Sequence, residues 1–256
     1  MRRTGYSMRL RTILAVALGG GALLLSACGG GGNDSTTSAP TGQPGSGGSP
    51  TGQTGGSPTF SDPTKITNSY LPISKYPRCT FAGNDEGTQV RVVRTNLNRT
   101  KTFHYRGETI DALVQQDEET EDGELVERTF DYFAQSDSGD VYYLGEDVNT
   151  YKNGKVKGHG GAWLLGRETD TPGVLMPANP KVGDTFVSED VPKITHETDH
   201  VVASGKTTQI GGKSYSNVIR VRENTGPPPE VEYKLYSRGT GVIAEENGVL
   251  DLVSCA

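Results

Sequence analysis

Tight-turn pairs recur along this chain at intervals too short for helices, and they constrain its fold more than any other feature. Glu121-Asp122-Gly123-Glu124, Asp137-Ser138-Gly139-Asp140, Asn153-Gly154, Gly211-Gly212 and Asn247-Gly248 place residues tolerant of positive φ where tight hairpins need them. Between the turns run short segments rich in Val, Ile, Thr, Tyr and Phe, with scarce helical periodicity. The pattern predicts strands over 88–95, 101–105, 108–116, 125–135, 140–144, 148–152, 155–159, 183–188, 193–203, 206–210, 213–223, 229–237, 241–246 and 249–253. Consecutive hairpins pair sequence neighbours antiparallel. The expected fold class is therefore all-β: a single antiparallel meander curled into a barrel or half-barrel, with a β-sandwich as the alternative and few helices. Val141-Tyr142-Tyr143-Leu144 is apolar without alternation, which predicts a strand covered on both faces. Residues 158–176 read as a longer irregular connection holding the only Trp, Trp163.

The N-terminal segment has a different character. Arg2, Arg3, Arg9 and Arg11 form a positive region with no acid, and a short apolar and Gly/Ala stretch follows, ending in Leu25-Ser26-Ala27-Cys28. The stretch is too short for a spanning helix, which needs about 20 apolar residues. It resembles the bacterial lipoprotein signal. That resemblance implies a signal peptide over residues 1–27, with Met8 as an alternative start, and a Cys28 sulfur alkylated with diacylglycerol as the mature N-terminus. An ordinary secretory signal with an incidental cysteine is the alternative. A lipidated cysteine carries more than one acyl chain, and each buried methylene contributes about 0.8 kcal/mol, so the anchor would hold. The expected location is the cell membrane, lipid-anchored on its extracytoplasmic face.

From residue 28 to 59 the composition is almost wholly Gly, Ser, Thr, Pro, Gln and Asn. Such a tract cannot offset its ordering entropy by burial, and it reads as a flexible tether with a reach of roughly 30 Å. The folded domain is expected over residues 60–256. With Arg2, Arg3, Arg9, Arg11 and Asp34 set aside, that region carries 21 Lys+Arg against 30 Asp+Glu, a net charge of -9. An acidic domain without a basic, aromatic-interleaved run is not expected to bind nucleic acid or an anionic lipid surface directly.

With Cys28 assigned to lipid, Cys79 and Cys255 remain, one near each end of the domain. In an oxidising compartment the two are expected to pair. Closing so long a loop would remove about 4–5 kcal/mol of unfolded-state entropy in the chain-entropy picture.

A second resemblance rests on the centre of the domain. Phe130-Asp131-Tyr132-Phe133-Ala134-Gln135, Val141-Tyr142-Tyr143-Leu144-Gly145-Glu146-Asp147, Pro172-Gly173-Val174-Leu175-Met176-Pro177-Ala178-Asn179-Pro180 and Val182-Gly183-Asp184-Thr185-Phe186 resemble a group of uncharacterised secreted bacterial domains, often lipoproteins. It implies a β-rich extracytoplasmic domain and no particular mechanism.

Candidate chemistry is sparse. His196-Glu197-Thr198-Asp199-His200 spells the H-E-x-x-H of zinc metalloproteases, which needs a helix to bring both histidines to one ion. Here Ile194, His196, Thr198, His200 and Val202 alternate with Thr195, Glu197, Asp199 and Val201, as in a strand. That would put His196 and His200 on one face but about 13 Å apart. A metal hydrolase using these two histidines is therefore the third choice of function, and no catalytic residue, metal or cofactor is assigned. The acidic run Asp117, Glu118, Glu119, Glu121, Asp122 and Glu124 lacks EF-hand order and reads as a solvated hairpin tip rather than a calcium site. His159, Trp163, Leu175 and Met176, on irregular chain, form a candidate ligand-binding loop; the alternative is that Trp163 and Leu175 plug one end of the barrel. The leading expectation is a membrane-tethered, non-enzymatic binding domain for a small apolar ligand. The runner-up is an envelope structural or assembly factor that holds another protein. An open apolar cavity of several hundred Å3 would favour the first, and a sealed interior would disfavour it.

Overall fold

Turn residues and β-branched runs build the hairpins expected of them. A computed structural model describes residues 57–226, 229–246 and 249–256. The signal segment, Cys28, the tether through residue 56 and the Asn247-Gly248 turn lie outside the described residues. After a short 3-10 turn at Ile73–Lys75, the strands are β1 (Arg78–Asp85), β2 (Thr88–Tyr105), β3 (Glu108–Glu121), β4 (Glu124–Gln135), β5 (Val141–Lys152), β6 (Lys155–Gly158), β7 (Trp163–Leu164), β8 (Gly173–Met176), β9 (Thr185–Val191), β10 (Thr195–Ile210), β11 (Lys213–Gly226), β12 (Glu230–Ser237), β13 (Gly241–Glu246) and β14 (Leu250–Cys255). Asp122-Gly123 and Asn153-Gly154 take the positive φ values of tight hairpin turns, as expected, and so do Glu86-Gly87 and Arg106-Gly107, where a long side chain stands at the first position.

Fourteen strands form one antiparallel sheet in the order β6-β5-β4-β3-β2-β1-β14-β13-β12-β11-β10-β9, with β7 and β8 paired to β5. The chain starts at the middle of the sheet, runs out to one edge, crosses, and returns from the other edge to the middle. There β1 and β14 pair, Cys79 faces Cys255, and the two form the expected disulfide. The fold is all-β and the sheet is not closed. It curls nonetheless, because one continuous core takes Phe133 and Val141 from β4 and β5 together with Phe186 and Val201 from β9 and β10. β8 lies against β9 across the gap. A Cβ on Gly173 would stand 1.7 Å from the Ser188 carbonyl oxygen, so only glycine permits this approach. No helix among the described residues is long and apolar enough to cross a membrane.

Three pairs of expected strands are fused. The segments 88–95 and 101–105 are both β2, 140–144 and 148–152 are β5, and 193–203 and 206–210 are β10; each interruption is a register irregularity inside a continuous strand. The connection at 158–176 is not wholly irregular, since it contributes β7 and β8. Val141, Tyr142, Tyr143 and Leu144 are all buried, Val141 and Tyr143 in the main core and Tyr142 and Leu144 in a second cluster on the outer face. That strand is covered on both sides, as its lack of alternation predicts.

The residues before β1 form a strap over one end of the curl. Phe60 meets the Tyr142 ring edge-on at 5.5 Å, and Asp137 Oδ1 accepts from the Ser61 amide at 2.8 Å. The buried Asn68 donates to the carbonyls of Gly139 and Pro177 and accepts from the amides of Tyr70 and Leu71. Lys75 Nζ then donates to the Gly239 carbonyl at 2.5 Å. The strap thus links the β4–β5 turn to the β12–β13 turn, and its own Ile66 is fully buried.

Candidate functional site

Strand alternation carries ionisable side chains into the curl as well as apolar ones. On β10, Thr195, Glu197, Asp199 and Val201 are buried, while His196 is exposed and Thr198 and His200 are half-buried. On β12, Lys234 and Tyr236 point inward and Val231 outward, 51% exposed. Register then assembles a belt across neighbouring strands: Arg94 opposite Asp117, Asp131 opposite Glu146, Glu189 opposite Glu197, Asp199 opposite Glu223, and Lys234 opposite Glu245. Among the described residues, eight buried acids accompany only two buried cations, Arg94 and Lys234.

The belt is held by short charge-assisted bonds. Arg94 Nε donates to Asp117 Oδ2 at 2.9 Å and its Nη2 to Glu245 Oε1 at 3.1 Å, while the guanidinium lies 4.7 Å over the Phe81 ring. Lys234 Nζ contacts Glu223 Oε2 at 2.6 Å. Tyr143 donates to Asp131 at 2.6 Å, Ser188 to Glu197 at 2.7 Å, and both Trp163 Nε1 (3.0 Å) and Thr195 (2.8 Å) to Glu189. The balance is incomplete: both carboxyl oxygens of Glu146, Asp117 Oδ1, Asp199 Oδ1 and Glu245 Oε2 are buried without a hydrogen-bond partner.

Burial and mutual repulsion set the protonation of this belt. Burial, then Glu189, holds the Glu146 carboxyl well above the ordinary range, and burial, then Asp117, does the same to Asp131. Burial, then Glu197, raises Asp199 well above its ordinary value. Burial pushes Glu197 and Glu223 up to about 7, with Lys234 opposing in both cases. Burial pulls Lys234 down, but the carboxylates of Glu223 and Glu245 outweigh it and the ammonium is held well above its ordinary value.

The residues singled out from sequence distribute unevenly around this interior. His196 and His200 lie on the outer face, where His196 Nδ1 is 3.2 Å from Asp190 Oδ1 and His200 Nδ1 is 2.9 Å from Thr185 Oγ1. The helical zinc geometry is absent because the stretch is a strand, and it is the acids between the histidines that face inward. Trp163 and Met176 are fully buried and Leu175 is 7% exposed, so these three are core and pocket-wall residues rather than an open loop. Only His159 is exposed, with Nδ1 2.9 Å from the Val148 carbonyl. The acidic run also departs from expectation: its tip is Asp122-Gly123, but Asp117 lies inside, paired with Arg94, and Glu119 is buried.

Beneath the strap is a pocket of about 70 Å3. Leu71, Ile73, Phe81, Phe133, Leu175 and Val242 give it apolar walls, and Arg94, Gln115, Asp117 and Asp131 give it a polar floor. Its volume is far below the roughly 300 Å3 or more of a preformed small-molecule cavity. No family model, curated protein or solved structure matches this chain.

Proposed function

We propose that this chain is a lipid-anchored extracytoplasmic domain that binds a small, largely apolar ligand with a hydrogen-bond-donating head, and that it acts by binding rather than catalysis. The observation that carries the reading is the strap pocket, which at about 70 Å3 takes such a ligand only once the strap segment Leu71 to Tyr76 lifts. Its walls are apolar, and its floor includes Asp117, one of whose oxygens is buried without a donor. The strap continues directly from the tether, so a ligand lifting Leu71 to Tyr76 would act on the segment that joins the domain to the membrane. The anchoring half of the proposal rests on Leu25-Ser26-Ala27-Cys28 and the polar tract behind it.

Each half has its own test. Palmitate labelling in bacteria is expected for the wild-type chain and to be lost in Cys28→Ser; a chain that stays unlabelled in both sinks the anchor. Native mass spectrometry of protein released from its own envelope is expected to show a retained small molecule that disappears in Leu175→Trp, which fills the pocket. No retained mass, or the same mass in both proteins, would refute the ligand site.

A further inference from the structure

Glu197 and Asp199, two apart on β10, and Glu223 on β11, opposite Asp199, bring one carboxylate oxygen each to within 4.8 Å of one another. All three side chains are at most 4% exposed. Ser188 donates to one oxygen of Glu197 and Lys234 to one oxygen of Glu223, yet Asp199 Oδ1, on a residue 2% exposed, has no hydrogen-bond partner. An anionic oxygen buried without a donor is costly, and here it belongs to a carboxylate clustered with two others. We propose that Glu197, Asp199 and Glu223 form a binding site for one hard divalent cation of calcium's size.

Three arguments converge on that assignment. Ligand oxygens at calcium's 2.3–2.6 Å can stand up to about 5 Å apart across the ion, so the observed spacing needs no backbone movement. Charge balances with the ion bound, because three ionised carboxylates, the Lys234 ammonium and one divalent ion sum to zero, whereas the triad with Lys234 alone reaches balance only by taking up protons. The donor set is oxygen only, since His196 and His200 lie on the opposite face of the strand, and all-oxygen sites select hard cations over zinc. Lys234, bonded to Glu223 Oε2, fixes one carboxylate and leaves its other oxygen for the ion.

The test uses the full chain in detergent, unfolded and refolded in chelator, then refolded with calcium, with magnesium as the comparison. Calcium is expected to raise Tm, and one equivalent is expected to survive dialysis by elemental analysis. Asp199→Asn keeps the shape and removes a buried charge, so it folds without the ion. It is expected to bind calcium about tenfold or more weakly, because site affinity follows carboxylate count, and to lose most of the calcium-dependent rise in Tm. No calcium-dependent rise and no retained calcium in the wild type would overturn the site, and so would an equal rise in both proteins. Stabilisation by acid alone, with no response to either cation, assigns the Asp199 oxygen to a proton and also overturns it. The strap pocket has a separate lining, so the two proposals fail independently.

Discussion

Replacing Lys234 with Met is expected to cost about 3–5 kcal/mol in chelator near neutral pH, because it removes the ammonium paired with Glu223 in the interior. Urea unfolding measures the loss, and the double variant Lys234→Met/Glu223→Gln is expected to recover much of it, since removing both partners spares the orphaned charge. Acidity should act in the same direction. Glu197 and Glu223 titrate near 7 in the fold against an ordinary 4.5, so the folded state holds protons more tightly than the unfolded one. The stability this confers is fully present below about pH 4.5 and is lost as pH rises through about 7. In chelator, Tm is therefore expected to be higher at about pH 5 than at about pH 8; a Tm that rises over that interval would refute the protonated belt. Sequence could not have located Lys234. In Glu230–Ser237, Val231, Tyr233 and Leu235 form the alternating apolar set, and ordinary patterning puts them inside; instead Val231 is 51% exposed, and Lys234, 1% exposed, opens a run of four buried residues. β10 is ambiguous in the same way, because Val201 and Val202 stand on opposite faces.

At the scale of single elements, hairpins were legible and their continuity was not. Asp122-Gly123 and Asn153-Gly154 turn the chain as their chemistry dictates. Polar stretches such as Asn96–Arg99 and Ser204-Gly205 carry the same residue types, yet they fall inside strands as register irregularities, because long flanking ladders hold the pairing on either side. β1 escaped notice because Gly83-Asn84-Asp85 reads as a turn. β8 escaped because its importance is tertiary: it bonds β5 and leans on β9. Gly173→Ala tests that contact directly. Its Cβ would collide with the Ser188 backbone, so a loss of about 2–4 kcal/mol is expected, with increased proteolysis between β6 and β9. A neutral result would mean that β8 does not brace the open edge. Double replacement of His196 and His200 by Ala is expected to shift stability by less than about 1 kcal/mol, as both rings lie outside the core.

Across the whole molecule, the β1–β14 seam joins the two halves of the sheet, and Cys79–Cys255 staples it over a separation of 176 residues. Cys79→Ser/Cys255→Ser is expected to lose about 4–5 kcal/mol, read as a lower unfolding midpoint without change in the folded-state circular dichroism. The pairing of the two cysteines was accessible from sequence by elimination; their place at the centre of the sheet was not, since nothing local announces that a meander starts in its own middle. The same layout sets the order in which the domain can be assembled. β1 and β13 each show a bare edge until β14, the last of these strands in chain order, takes its place between them, so the sheet cannot be completed hairpin by hairpin as the chain emerges. Its closing contact is among its least local, which places folding at the slow end for a protein of this size and leaves two open strand edges in need of protection in the interval.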